Sequence, residues 1–278
     1  VSIVIPSFCR EVELEEKIKF WQFEILNFDS EILIANASNY SRLKILFAAD
    51  KRIKFLNVNK NFWWSESVNF AVNLALQSKS DYIVITNDDM IYPVGILNCF
   101  QEFSNSHDVL TIPQLQVNGN IYFGAMIKGF FRDFVPLNIL IGDSQVIDIT
   151  NGSCLFIPSS IFKNVGLFNS IELPHYYSDT EFMLRLKRKD YKLKILNFKY
   201  IIQGPPTEFS RRFSFLNVFY HKGSPLNFRA FIYFGIKLYG SYFNLFLGNG
   251  LKYTFEYMFN VIKFQFKKLI NTISLDNA

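Results

Sequence analysis

Four short runs of β-branched and aliphatic residues punctuate the first 90 positions: SIVIP (2–6), EILIA (31–35), IKFLN (53–57) and YIVIT (82–86). Each is too short for a helix and rich in side chains that suit a pleated, buried surface, so each reads as a strand. Between them lie two helical stretches, Glu11 to Leu26 and Glu66 to Leu76. The first carries acidic residues in its opening turn, where the macrodipole favours them. This alternation predicts an α/β fold with a parallel sheet and helices on its faces. Half of the 278 residues are hydrophobic, enough for one large core and against disorder.

The order changes after Pro93. A short helix is expected, then DVLTI (108–112), a hairpin at Asn118-Gly119, an irregular stretch and the strand CLFIP (154–158). A helix from Ser178 and the strand LKILN (193–197) come next, so mixed pairing is expected in this half. The one soft boundary lies near Gln203-Gly204-Pro205-Pro206, and the expected parts are a sheet domain (1–215) and a basic, aromatic-rich helical extension (216–278).

Charge separates the same two parts. Residues 1–215 hold 22 basic and 22 acidic side chains and 216–278 hold 7 and 2, so the whole net charge of +5 lies in the tail. Basic and aromatic composition fits an anionic membrane surface or single-stranded nucleic acid. Within 253–270, Phe255, Met258, Phe259, Ile262, Phe266 and Leu269 share one helical face, with Glu256, Asn260, Lys263 and Lys267 on the other. Such a helix either packs on its own domain or lies on a membrane, and contact through 250–270 is expected, with no nucleic-acid partner. Arg229 and Lys237 interrupt the best candidate for a spanning segment. Cys9, Cys99 and Cys154 are odd in number and in no metal-ligand spacing, which points to a reducing compartment and no structural zinc. The sequence opens directly on a strand, and no secretory signal is expected.

YIVIT runs straight into Asn87-Asp88-Asp89. These are ordinary turn residues, and a turn before Pro93 is the bland account. Yet the carboxyl edge of an open α/β sheet is where ligands bind, and adjacent carboxylates there suit a divalent cation carrying a phosphate.

Other segments join this one in a fixed order: VSIVIPSF at the start, NFWWSESVNFAV (61–72), TNDDM (86–90), NGSCLFIPSSIFKNVGLFN (151–169) and YYSDTEFMLRLKRKDY (176–191). Over roughly residues 1–225 the set resembles glycosyltransferase family 2, the inverting nucleotide-sugar transferases of the GT-A fold. Trp63-Trp64 and HKGS (221–224) look closest to bacterial rhamnosyltransferase-like members. The resemblance implies a mixed, mostly parallel sheet, a Mn²⁺ or Mg²⁺ ion held by Asp88, Asp89 and His221, and Asp179 as the catalytic base. It places the nucleotide against Pro6, Ser7, Phe8 and Asn36, and the donor and acceptor near Trp63, Trp64, Glu66, Asn69 and Gly152.

The reaction implied by this resemblance is transfer of a single sugar, UDP- or dTDP-linked and rhamnose-like, to a glycan or lipid-linked acceptor in cell-surface polysaccharide synthesis. The enzyme would be cytoplasmic and peripheral at the inner face of the membrane. Neither a Q-x-x-R-W segment nor a set of spanning helices is present, which argues against a processive synthase. Ala35 stands where relatives usually have an aspartate that reads the base, Glu66-Ser67 where they commonly carry glycines, and Ser178 beside the base in place of an acid. Ala35 and Glu66 keep open an inactive domain that binds nucleotide or glycan. Ser178-Asp179-Thr180-Glu181 also reads as a capping box, which would set Asp179 at the first helical position and keep it ionised.

Overall fold

The structure, a computed structural model, describes residues 1–276 apart from 37, 39, 106, 205–216 and 249. The first half winds as β1 (Ser2–Ser7), α1 (Glu11–Glu24), β2 (Glu31–Asn36), α2 (Ser41–Leu46), β3 (Ile53–Asn57), α3 (Trp64–Gln77) and β4 (Tyr82–Thr86). The four expected strands are all present, and α3 begins two residues before Glu66. The short helix α2 was not expected; six residues with only Leu43 buried give little periodic signal.

β3, β2, β1 and β4 lie side by side and parallel. Alternate residues serve opposite faces, as the period of a strand requires. Ile3, Ile5, Ile32, Ile34 and Val84 pack with Leu14, Ile18 and Trp21 of α1. Val4, Leu33, Ala35, Ile83 and Ile85 pack with Val68, Ala71, Val72 and Ala75 of α3. Burial on both faces explains why these strands read as continuous apolar runs.

The second half adds β5 (Met90–Ile91), α4 (Ile96–Phe103), β6 (Asp108–Thr111), β7 (Gln114–Leu115), β8 (Ile121–Tyr122), β9 (Ala125–Lys128), β10 (Asp133–Pro136), β11 (Ser144–Ile147) and β12 (Cys154–Pro158). It continues with α5 (Ser159–Val165), α6 (Ser178–Arg188), β13 (Lys192–Leu196) and β14 (Ile201–Gln203). The main sheet has the order β11-β13-β6-β12-β4-β1-β2-β3; β12 runs antiparallel to β4 and β6, and β11 antiparallel to β13. Mixed pairing is therefore confined to the expected half. The hairpin at Asn118-Gly119 forms between β7 and β8, and Gly119 supplies the positive φ its turn requires. A smaller sheet, β5-β14-β7-β8, stands against the end of β4.

Among the described residues the chain closes with α7 (Asn217–Tyr220), α8 (Phe228–Tyr239), α9 (Tyr242–Leu247) and α10 (Leu251–Asp276). Asn227 Oδ1 accepts from Ala230 N at 2.9 Å and caps α8. The junction at 215/216 lies outside the described residues. Leu173 and Leu184 from the sheet side share a core with Ala230, Phe234, Leu238 and Leu245, so the closing helices pack onto α6.

α10 docks by an aromatic stripe. Tyr253 and Tyr257 stack on Phe231 at 4.9 and 3.9 Å between centroids, and Tyr257 OH donates to Leu226 O at 2.9 Å. The face singled out in the sequence points away: Phe255, Met258, Phe259 and Ile262 are exposed. The side chains of Phe266, Lys267 and Leu269 lie outside the described part. Among the described residues, no helix is long and apolar enough to cross a membrane.

Candidate active site

The parallel register brings three strand ends to one edge. Ser7 pairs with Asn36 and Val4 with Ile85, so the segments after β1, β2 and β4 emerge together. Asp88 and Asp89 form the turn between β4 and β5, so the turn account holds as geometry. The turn is braced from two sides. Tyr92 OH accepts from Asn87 N at 2.8 Å and lies 3.0 Å from Ser153 O, while Gly204 N donates to Asp89 O at 2.8 Å. A Cβ on Gly204 would sit 2.3 Å from that oxygen, so only glycine allows the approach.

The two carboxylates face a cation that the sequence does not announce. Arg10 Nη1 lies 3.2 Å from Asp89 Oδ2 and 3.7 Å from Asp88 Oδ1. Asp88 is 7% exposed, and Asp88 Oδ2 and Asp89 Oδ1 are buried with no hydrogen-bond partner. Burial pushes Asp88 up to about 6, with Asp89 adding to the rise and Ser7 and Arg10 opposing it. Lys17, buried on the inner face of α1, feels the same pair: burial lowers its pKa while Glu16, Asp88 and Asp89 work to raise it. Two buried, orphaned, hard oxygen donors on adjacent carboxylates fit a divalent cation such as Mn²⁺ or Mg²⁺. Among the described residues no three His, Cys, Asp or Glu side chains gather as a metal site, so His221 stands apart from the pair.

Asp179 is reached through Trp64. The indole Nε1 donates to Asn87 Oδ1 at 2.9 Å, and the far edge of the ring rests on Gly152. A Cβ on Gly152 would lie 3.0 Å from Trp64 Cη2 and 3.2 Å from Asp179 Cβ, so this glycine lets tryptophan and aspartate close together. Gly152 N donates to Asp179 Oδ2 at 2.8 Å and Thr180 N to Oδ1 at 2.7 Å.

Two expectations about this helix start are overturned. Tyr177, in the left-handed region at φ 66°, is the N-cap, so Ser178 opens α6 and Asp179 is second. Ser178 Oγ is buried without a partner, and Glu181 pairs with Arg185 at 3.0 Å, so there is no capping box. Nor does the helix end hold Asp179 in the ordinary carboxylate range. Burial raises its pKa, and the backbone donors from Thr180 and Gly152 only partly offset that. Tyr122 is close enough for Asp179 to help lift its phenol to about 12, after burial.

Trp63 faces the C-terminal segment. Its ring meets His175 at 5.7 Å and His221 at 5.1 Å, both edge-on, and a Cβ on Gly223 would lie 2.1 Å from it. His221 Nδ1 accepts from Gly223 N at 3.2 Å. Burial lowers His175 to about 4, so it is neutral near pH 7. Glu66 and Asn69 both bond to backbone groups. Glu66 Oε2 accepts from Trp63 N at 3.3 Å, and Asn69 holds both the N–H and the carbonyl of Phe168, at 3.0 and 2.8 Å.

At the nucleotide end, Pro6 is buried in β1 and Phe8 is half-exposed beyond it. Ser7 Oγ meets Tyr40 OH at 3.1 Å, and that hydroxyl also accepts from Arg10 N at 3.1 Å. Asn36 is buried; its amide nitrogen donates to Ser38 O, and its Oδ1 has no partner. Sequence reasoning missed Arg10, Lys17, Tyr40, Tyr122 and His175. None of them left a signal in the local sequence.

Comparison with protein-family models and with curated proteins returned no match. Solved structures did match. GalNAc-T7 with UDP, GalNAc and Mn²⁺ superposes with a TM-score of 0.57 at 12% identity over 73% of this chain. TarS residues 1–349 from S. aureus gives 0.55 at 14% over 85%, and the mannosyltransferase PcManGT from Pyrobaculum calidifontis with GDP-Man and Mn²⁺ gives 0.51 at 12% over 74%. The fold is GT-A. The chain spans only 43%, 64% and 57% of those three chains, respectively.

Proposed function

We propose that the chain is an inverting glycosyltransferase that moves one sugar from a nucleoside diphosphate to a glycan or lipid-linked acceptor, in cell-surface polysaccharide synthesis. The observation that carries the reading is the pair of buried, unpartnered carboxylate oxygens on Asp88 and Asp89, joined through Trp64 to a second carboxylate with raised pKa, Asp179.

In this reading Asp88 and Asp89 hold Mn²⁺ or Mg²⁺, whose chemistry is to neutralise charge on the departing diphosphate. Pro6, Ser7, Phe8 and Asn36 line the nucleotide. Asp179 takes the proton of the acceptor hydroxyl as its oxygen bonds to the anomeric carbon and the bond to the diphosphate oxygen breaks. Attack from the opposite face inverts that carbon. A raised pKa makes Asp179 a stronger base than an ordinary aspartate, nearer the working pH. UDP or dTDP is the assigned nucleotide and a rhamnose-like sugar the assigned cargo. The segment 250–270 is assigned a peripheral contact with the cytoplasmic face of a membrane.

A thermal-shift panel of UDP, dTDP, GDP and CDP, each with and without Mn²⁺, tests the reading. Ligand at about 100 times its dissociation constant adds about 2.7 kcal/mol of stability. A metal-dependent shift for one nucleotide is expected, and no shift with any of them would sink the proposal. One observation favours a second reading, an inactive domain that binds nucleotide or glycan: Arg10 already occupies the aspartate pair. Turnover that is lost on substituting Asp179 rules that out.

A further inference from the structure

Two exposed apolar features have no part in the proposed reaction. The first is the β9–β10 hairpin. Its turn closes with Arg132 N donating to Gly129 O at 3.2 Å, with positive φ at both residues. This tight turn lifts Phe130 and Phe131 out of the molecule, 72% and 47% exposed, with their rings edge to face at 5.4 Å. Lys128 and Arg132 flank them and are exposed, as are Ile139 and Ile141 further along. The second feature is the outward face of α10, where Phe255 and Phe259 are 61% and 65% exposed.

The two features are joined. Lys252 Nζ reaches Asp133 Oδ1 at the foot of the hairpin, at 2.5 Å. Along α10, positions 252, 255, 259 and 263 succeed one another at helical spacings of three and four, so the face that begins at the hairpin carries Phe255, Phe259 and Lys263. Met258 and Ile262 widen it.

We propose that the hairpin tip and the exposed face of α10 form one composite surface that docks on an anionic lipid bilayer. Phe130 and Phe131 enter the interface beside Phe255 and Phe259, with Lys128, Arg132 and Lys263 at the level of the lipid phosphates. The proposal rests on the membrane contact assigned above to 250–270, and adds to it a second, rigid element. Charge selects the occupant. The tail carries 7 basic and 2 acidic residues, Asp133 is neutralised by Lys252, and Glu256 is the one acid among the described side chains of α10. A second copy of the chain would bring two such basic surfaces together, whereas an anionic bilayer complements them.

The experiment is co-sedimentation of the full chain with phosphatidylcholine vesicles, with and without phosphatidylglycerol. The native chain is compared with Phe130→Ser/Phe131→Ser, Phe255→Ser/Phe259→Ser and, as a control, Ile45→Ser on α2, another exposed apolar residue. Salt-sensitive binding to the anionic vesicles is expected, weakened about tenfold or more by either double substitution and unchanged by the control. Phe131→Trp should show a blue shift in emission on the same vesicles. If only the α10 variant loses binding and the tip tryptophan stays in water, the composite surface is overturned while the contact through 250–270 survives. If the native chain does not bind, both fail. A dimer that the same substitutions dissociate would assign the surface to a second copy and overturn the proposal. Metal-dependent nucleotide binding, read on every variant, reports folding and tests the glycosyltransferase reading separately.

Discussion

The two acidic centres of this molecule are built in opposite ways. Asp88 and Asp89 share a guanidinium, and each keeps a buried oxygen without a donor. Asp179 has backbone N–H donors on both oxygens and is raised by burial. A carboxylate pair that already tolerates a cation and still has free lone pairs suits a metal ion. A single carboxylate, held in place by amides and made more basic by its surroundings, suits a proton. In the proposed reaction the same residue type would serve two tasks, because the strand-end turn and the helix start supply different neighbours.

The largest effect should come from the proton side. Asp179→Asn keeps the size of the side chain and an oxygen for the Gly152 donor but cannot take a proton, so we predict a fall in kcat of about 10²–10⁴-fold. Metal-dependent nucleotide binding should be unchanged. Steady-state kinetics beside calorimetry of nucleotide binding separate the two quantities. If nucleotide binding falls along with turnover, the division between the centres is wrong.

The metal side is broken by Asp88→Asn. The prediction is loss of the Mn²⁺-dependent part of nucleotide stabilisation, about 2.7 kcal/mol with ligand at about 100 times its dissociation constant, with any metal-independent part retained. Thermal shift reads this directly, and a surviving Mn²⁺ effect would move the ion elsewhere.

The contrast also has a pH signature. Asp88, at about 6, is raised above its ordinary value of 3.8, so between those values the folded chain holds more protons than the unfolded one. Its ionisation therefore opposes folding: stability falls as pH rises through about 4 to 6 and the penalty is complete above that window. Binding Mn²⁺ requires the ionised form, so its affinity should weaken about tenfold for each pH unit below about 6. A Mn²⁺ titration at several pH values checks the trend, and a flat profile would deny Asp88 as ligand.

How much of the fold and site was legible in the sequence depends on what each residue answers to. β1 to β4 were readable because strands buried on both faces leave uninterrupted apolar runs, and the position of Asp88 and Asp89 came from the end of β4. The start of α6 at Ser178 was legible, but its cap was misread, because Tyr177 takes a left-handed conformation, becomes the N-cap and turns Ser178 inward. The sequence pattern cannot carry that, since the φ of a tyrosine is set by its packing, here a stack on Phe234 at 5.1 Å. On α10 the apolar face was identified correctly, but it faces out. The inward stripe belongs to Tyr253 and Tyr257, which bring ring area and, at Tyr257, a hydroxyl that satisfies a backbone carbonyl. Arg10 was invisible as a partner of the aspartates because its placement depends on a turn at Cys9 with φ 56° and on Tyr40, 30 positions along the chain.

Arg10 gives the smallest and sharpest test of the contrast. Its guanidinium stands beside both carboxylates, so a metal ion held by the pair would compete with arginine for the same charge, while arginine keeps the pair tolerable without the metal. Arg10→Gln removes the competitor. Mn²⁺ affinity without nucleotide should rise by about three- to tenfold, of the order of 1 kcal/mol, which is what a partly exposed ion pair contributes. Stability of the metal-free chain should fall at the same time, because two like charges are left facing each other at the end of β4. The two changes carry opposite signs, and Mn²⁺ titration with thermal melts measures them on one sample. Were affinity and stability to fall together, Arg10 would be a brace that shapes the site for the metal, and the pair would need its arginine as much as Asp179 needs its amides.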